Sequence, residues 1–336
     1  MSRLRAILSG TVRIAIGAGL LWYLATSGAI EWNAVGRLFA AWPWMLLGLG
    51  VLLLDAALIA WRLVVVLAPR GFHLRLYDAF RLTLIGTFFN SCLPGSTGGD
   101  LVKIYYAAEG NPGRRVQVAT IILFDRAVGM FALLLLPLLL APFFSEMVAS
   151  SAGIRAVLWA AGAICAAMLA GLLLSWWPPF ARSSLLEWML ERLPLGEHLR
   201  VIFETVHGYR SARGAVLGAT AISLAAHMLA AAVAMISSLA MHPQQFAWKM
   251  SVVIPLGFTA NALPFTPGGL GVGEAAFNKL FSLAGLSGGA EALLGWRLLT
   301  IAISLLGLGF YLQGRRRFVH EIETMRAAEA AETVKA

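Results

Sequence analysis

Residues 77–108 read YDAFRLTLIGTFFNSCLPGSTGGDLVKIYYAA, and residues 250–285 read MSVVIPLGFTANALPFTPGGLGVGEAAFNKLFSLAG. Each stretch is apolar at both ends and broken in the middle, at LPGSTGGD (93–100) and LPFTPGGLGVGE (263–274). Proline has no amide hydrogen to give to a helix and glycine loses the most backbone entropy in one, so a continuous helix through either break is disfavoured. Two apolar legs joined by such a turn read as a helical hairpin. Within a bilayer, peptide groups freed at a turn must be satisfied by protein or by a water-lined cavity, which makes broken helices the expected place for a transport site.

Outward from these stretches lie six unbroken apolar runs, near 6–27, 43–67, 117–141, 154–177, 214–241 and 291–313. Each is long enough to cross roughly 30 Å of hydrocarbon. Of the 336 residues, 59% are hydrophobic and 13% charged, and the mean hydropathy is +0.78. A soluble domain carries roughly a quarter charged residues, so that class is excluded. The basic excess of 26 Lys and Arg over 17 Asp and Glu falls in short clusters between apolar runs. That arrangement suits loops facing an anionic leaflet and not a nucleic-acid partner. Cys92 and Cys165 lie inside apolar runs and imply neither a disulfide framework nor a metal site. The opening MSRLRAILSGTVRIAIGAGLLWYLATS is read as an uncleaved first span, because Arg13 interrupts its apolar core and further spans follow.

Loops rich in Lys and Arg stay cytoplasmic, which orients the runs. With Arg3 and Arg5 inside, two spans return the chain to the inside at Arg70 and Arg75. Arg114 and Arg115 stay inside only if 77–108 turns back. The stretch 142–153, which has no Lys or Arg, is then outside, and 178–213, with Arg182, Arg192, Arg200, Arg210 and Arg213, is inside. Lys249, outside, is the single violation; a second hairpin and a last span bring Arg315, Arg316 and Arg317 to the cytoplasm.

The expected fold is therefore an all-α integral membrane protein with about six full transmembrane helices plus two re-entrant helical hairpins in an inverted-topology repeat. Residues 1–145 form the first repeat, with three spans and a hairpin at 77–108 on the cytoplasmic side. Residues 146–314 form the second, with three spans, a hairpin at 250–285 entering from outside, and an interfacial segment at 178–213 in which SSLLEWMLERL has helical apolar spacing. Residues 315–336 form a basic, then polar, cytoplasmic tail, Ala- and Glu-rich and expected to fray. Three landmarks support the repeat: Pro94 to Pro264 and Gly99 to Gly269 are each 170 residues apart, and Arg126 to Arg297 is 171. Gly/Pro-rich turns also resemble one another by chance, and the downstream arginine is what weighs against that.

Ionisable residues within apolar runs need partners or a wet cavity. Here they are Asp55, Arg62, Asp100, Lys103, Asp125, Arg126, Glu274 and Arg297. Arg126, Arg297, Lys103 and Arg62 could line a cavity for a phosphate or carboxylate, since guanidinium forks match such oxygens. They could equally serve as structural pairs for Asp125, Asp100, Glu274 and Asp55, and Arg62 lies near enough to a span end to snorkel. Asp100 and Glu274 are the candidates for proton uptake. Gly98, Gly99, Gly268 and Gly269, with Gly271 following, precede half-helices whose free amides would point at an anion. Asp100 in the first turn is the competing cap. Asn90 and Asn261 on the incoming legs are read as satisfying the turns that Pro94, Pro264 and Pro267 enforce.

Several motifs fail on context. GGLGVGE sits in no βαβ unit, and GSTGGDLVK lacks the lysine and Ser/Thr that a phosphate loop needs after its last glycine. The six histidines are scattered, so no metal and no cofactor is expected. Tryptophans such as Trp22, Trp42, Trp44, Trp176 and Trp177 fall near span ends, as an interfacial belt requires.

FFNSCLPGSTGGDLVKIYYAA, FDRAVG, LPFTPGGLGVGEAAF and GWRLL together resemble the membrane domain of lysylphosphatidylglycerol synthetases, the multiple peptide resistance factors, and their stand-alone relatives, over about residues 5–315. The family's motifs fall on Asn90, Pro94, Gly98, Gly99, Asp100, Lys103, Asp125, Arg126, Pro267, Gly268, Gly269, Gly271 and Glu274. This chain has Asp100, Lys103 and Asp125 where the pattern has Glu, Arg and Glu. The resemblance implies a flippase-type module that translocates phospholipids across the cytoplasmic (inner) membrane, with both termini cytoplasmic. Synthetase activity is not expected, since no aminoacyl-transferase domain is read after the last span. The rival readings are an intramembrane lipid-modifying enzyme, for which no catalytic motif is found, an accessory subunit in lipid or glycolipid biosynthesis, and a purely structural partner. Expected partners are membrane lipids, anionic ones first, with self-association or a lipid-biosynthesis enzyme left open.

Overall fold

The computed structural model describes residues 32–92, 98–109, 112–181, 183, 192, 196–245, 247–262, 266 and 269–333. Every regular element among the described residues is helical. In chain order they are α1 (Trp32–Ala40), α2 (Trp42–Leu67), α3 (Leu76–Cys92), α4 (Gly98–Glu109), α5 (Arg115–Leu140), α6 (Ser145–Ser150), α7 (Ala152–Trp176), α8 (Pro178–Ala181), α9 (Gly196–His207), α10 (Arg213–Met241), α11 (Met250–Asn261), α12 (Val272–Leu283) and α13 (Gly289–Thr333), with short 3₁₀ turns between some of them.

Among the described residues, five segments are long and apolar enough to cross a membrane: Trp42–Arg70, Arg115–Ser150, Ala152–Trp176, Gly196–Met241 and Gly289–Gln313. They coincide with five of the six runs expected from sequence. The sixth, 6–27, lies outside the described residues, as do Pro94, Pro264, Pro267, Gly268 and most of SSLLEWMLERL. Large apolar side chains face outward along these helices, among them Trp61, Trp159, Leu217 and Leu305. Water would not tolerate so continuous an apolar surface, whereas lipid solvates it.

Small residues let the helices approach. Gly48 on α2 faces Leu299 of α13, where a Cβ would come within 2.7 Å of Leu299 Cδ1. Ala56 and Ala60 of α2 and Ala226 and Ala230 of α10 are all buried, and α2 packs along α10. This is the small-residue packing that membrane helices use in place of a hydrophobic driving force.

Two of the hydrophobic clusters among the described residues lie along α5 and α10. One joins Leu63, Val66, Leu82 and Ala108 to Val118, Ile121, Ile122 and Val128 of α5 and Val216 and Ala219 of α10. The other joins Ile254, Phe258, Phe277 and Phe281 to Leu133 of α5 and Ala230, Ala231 and Ala234 of α10. In these two clusters the pair α3–α4 shares a core with the N-terminal halves of α5 and α10, and the pair α11–α12 with their C-terminal halves; Leu84 of α3 also packs with Val233 in the C-terminal half of α10 and with Leu299 and Ile303 of α13.

Past Arg317, the backbone of α13 stays helical to Thr333. The run RRRFVHEIETMRAAEAAET is rich in Arg, Glu and Ala, which lose little entropy in a helix.

Candidate functional site

The turn between α3 and α4 is tied by Asn90 at the end of the incoming leg, whose Oδ1 accepts the Gly99 amide at 2.7 Å. Two glycines make that crossing feasible. A Cβ on Gly99 would strike the Gly86 carbonyl, and one on Gly86 would come within 2.9 Å of Lys103 Cε.

From α4, Asp100 forms an ion pair with Arg126 of α5 through Oδ2 and Nη1. Lys103 lies one turn further along α4 and is buried. The charges acting on it are those of Asp125, Asp100, Arg62 and Arg126. Counting Lys103, that group has three cations and two carboxylates. Asp55 lies outside it, partly buried on α2 with Arg62 as its charged neighbour.

Arg62 does not snorkel. It is 8% exposed and grips Asp125 with two bonds, Nε to Oδ1 at 2.8 Å and Nη2 to Oδ2 at 2.9 Å. Its Nη1 donates to Ser223 Oγ of α10 at 3.1 Å. Gly129 makes the space, since a Cβ there would lie 2.5 Å from Arg62 Nη1. His227 Nε2 lies 2.9 Å from the Gly129 carbonyl and closes the same corner. Ser223, Gly129 and Gly86 were not singled out from the sequence, because nothing in a serine or glycine within an apolar run marks it.

The second turn is built similarly. Gly269 and Gly271 take φ of +69° and +79°, the left-handed region open to glycine at little cost. Thr266 Oγ1 donates to the Leu270 carbonyl at 2.8 Å and steadies the loop. Glu274, fully buried in the first turn of α12, accepts the Gly271 amide through Oε2 at 2.7 Å. Its Oε1 lies 2.7 Å from Arg297 Nε of α13. Arg297 Nη2 also donates to Asn261 Oδ1 at 2.7 Å, so Asn261 serves the arginine where Asn90 serves a turn amide.

Each turn therefore follows one plan: an asparagine closes the incoming leg, an acidic residue begins the outgoing helix, and an arginine on the next long helix pairs with it. Among the described residues no group of three or more His, Cys, Asp or Glu is placed to hold a metal ion. What the arrangement offers chemically is cationic guanidinium and ammonium groups held beside broken helices in an apolar interior.

These features define a multi-span helical membrane protein with polar constellations at two broken-helix turns. The chain matches the model of the lysylphosphatidylglycerol synthase TM region over residues 10–307, and it belongs to that family, a membrane family of lipid modification or transport. Curated proteins and solved structures gave no significant match.

Proposed function

We propose that the chain is a flippase-like transporter that moves an anionic phospholipid, or a related lipid, across the cytoplasmic membrane without being an enzyme. The observation that carries this reading is the repeated constellation: Arg126 with Asp100 at one broken helix and Arg297 with Glu274 at the other. In this reading α3–α4 and α11–α12 are re-entrant hairpins entering from opposite faces, and residues 6–27 supply a sixth span. Support comes from the two clusters, since one pair packs beside the N-terminal halves of α5 and α10 and the other beside their C-terminal halves. The inverted repeat, residues 1–145 against 146–314, then places both charged sites near the interface of the halves, where rocking gives alternating access.

The headgroup contacts assigned are Arg126, Arg297 and Lys103, with Arg62 holding Asp125 in place. Lys103 is the reason for choosing an anion, because it is buried beside two carboxylates, Asp125 and Asp100, that each already have an arginine partner. For the acyl chains, an apolar cavity of 950 Å³ opens between α5, α7 and α10, lined by Phe131, Leu135, Met168, Leu172 and Leu217, with Arg213 as its charged lining residue. Membrane lipids are the partners in this reading, and the termini lie in the cytoplasm with the basic loops.

Reconstitution tests it. In proteoliposomes, labelled phosphatidylglycerol should cross faster than a labelled neutral lipid, and Arg126→Gln or Arg297→Gln, correctly inserted, should abolish the difference. No movement of any lipid by correctly inserted native protein would instead favour an untested substrate or the accessory-subunit reading.

A further inference from the structure

A second charged cavity lies well away from the hairpin turns. It has a volume of 410 Å³ and is lined by Arg70, Arg114, Arg115, Gln117, Glu204 and Thr205, together with backbone near Gly113. Arg70 follows the end of α2, Arg114 and Arg115 begin α5, and Glu204 and Thr205 lie on α9. Along α5, Arg115 is eleven residues from Arg126, about 16 Å at the helical rise.

The lining carries three arginines and one glutamate, and among the described residues no ion pair joins Glu204 to any of the three. Arg114 is held in place by its own bonds: Nε donates to Gln117 Oε1 at 2.8 Å, and Nη2 donates to the Arg70 carbonyl at 2.8 Å. Its Cζ lies 4.1 Å above the Phe72 ring. Arg70 is partly buried, with an Nε that has no hydrogen-bond partner. Its guanidinium rests against Gly208, where a Cβ would collide with it.

Positive charges on neighbouring lining residues repel, and the buried Arg70 Nε–H is left without a hydrogen-bond partner, which is unfavourable. Arg114 and Arg115 are exposed to solvent, so the cavity is open to a ligand that pairs the donor and offsets the charge. An oxyanion does both, since planar forks of N–H donors match phosphate oxygens and cancel the excess charge. A pocket of this size and polarity admits a small polar group and not an acyl chain.

We propose that Arg70, Arg114 and Arg115 form a phosphate-binding site at this end of α5, separate from the hairpin constellations. The phosphate belongs either to a lipid headgroup at the membrane surface or to a soluble phosphate compound. In the lipid case the site is a loading station for the transported headgroup, and only that part rests on the transport reading.

The test is calorimetric titration of the full chain, purified in detergent, with inorganic phosphate, glycerol 3-phosphate and dihexanoyl phosphatidylglycerol. Three variants are compared: Arg115→Gln, Arg114→Gln/Arg115→Gln, and Gly208→Val, which displaces the Arg70 guanidinium without removing a charge. The expected result is binding to native protein that weakens at least tenfold in the double variant and in Gly208→Val. Binding of the soluble phosphates identifies a soluble source, and binding of the lipid alone identifies the headgroup. Arg115 is exposed, so Arg115→Gln should fold whatever becomes of the others, and it should weaken binding severalfold. Native protein that binds none of the three, or a folded Arg115→Gln that binds as native does, overturns the proposal. Because binding is read without transport, failure of the flippase reading leaves this result standing.

Discussion

Arg297 Nε sits 2.7 Å from Glu274 Oε1, while the other oxygen of that carboxylate caps the Gly271 amide at 2.7 Å. One buried carboxylate thus fixes the start of α12 and the position of a guanidinium on α13. Whatever moves that arginine must also disturb the turn.

Arg297→Gln should therefore be costly, because Glu274 is left fully buried with its charge uncompensated. A loss of about 3–5 kcal/mol is expected from such a broken pair. Arg126→Gln should cost less, about 1 kcal/mol, since the Arg126 and Asp100 side chains keep 26% and 14% of their exposure. Unfolding titrations in detergent would measure both. Glu274→Gln added to Arg297→Gln should recover part of the loss, and the order of the two single variants is the point at risk.

The Arg62–Asp125 pair gives a second contrast. Both residues are buried, at 8% and 4% exposure, so either Arg62→Leu or Asp125→Leu alone should cost about 3–5 kcal/mol. The double variant should come back close to native stability, because a buried pair exchanged for apolar groups of similar volume is often neutral. A double variant as unstable as the sum of the singles would mean that Ser223 and the neighbouring charges depend on the pair.

Helix positions were legible in the sequence because apolar length and Gly/Pro breaks act locally. The runs expected at 43–67 and 117–141 became Trp42–Leu67 and Arg115–Leu140, and both breaks fell between shorter helices. The charged residues were legible as a set, yet their pairing was not. Asp125 and Arg126 are neighbours in sequence, but successive residues on a helix point about 100° apart. Asp125 accordingly meets Arg62 while Arg126 meets Asp100. Which partner each finds depends on where Gly86, Gly99 and Gly129 let helices close up, and a glycine in an apolar run carries no sign of what will lie against it.

Those glycines can be tested directly. Gly99→Ala should destabilise by about 1–3 kcal/mol, because its Cβ would meet the Gly86 carbonyl, and backbone cannot rotate away as a side chain can. Gly50→Ala, also within a long helix but with nothing within 4 Å of an added Cβ, should stabilise by up to about 1 kcal/mol through helix propensity. Melting temperatures of the two variants in the same detergent should move in opposite directions.

Lys103 offers the sharpest test of the proposed preference for a lipid anion. It is a buried lysine facing two carboxylates that already have arginine partners, Asp125 with Arg62 and Asp100 with Arg126. Its ammonium is thus the cation with least claim on either carboxylate, and the one whose neutralisation by an incoming phosphate gains most. If so, Lys103→Gln should slow flipping of phosphatidylglycerol at least tenfold, equivalent to about 1.4 kcal/mol of lost selective stabilisation, while movement of a neutral lipid stays near the native rate. Lys103→Arg keeps the charge but brings a wider head group into a space that Gly86 barely clears at Cε, so it should fall between the two. Rates for both lipids in the same proteoliposomes decide the matter. A loss shared equally by anionic and neutral lipid would assign Lys103 to holding α3 against α4, and the selectivity would then have to come from Arg126 and Arg297.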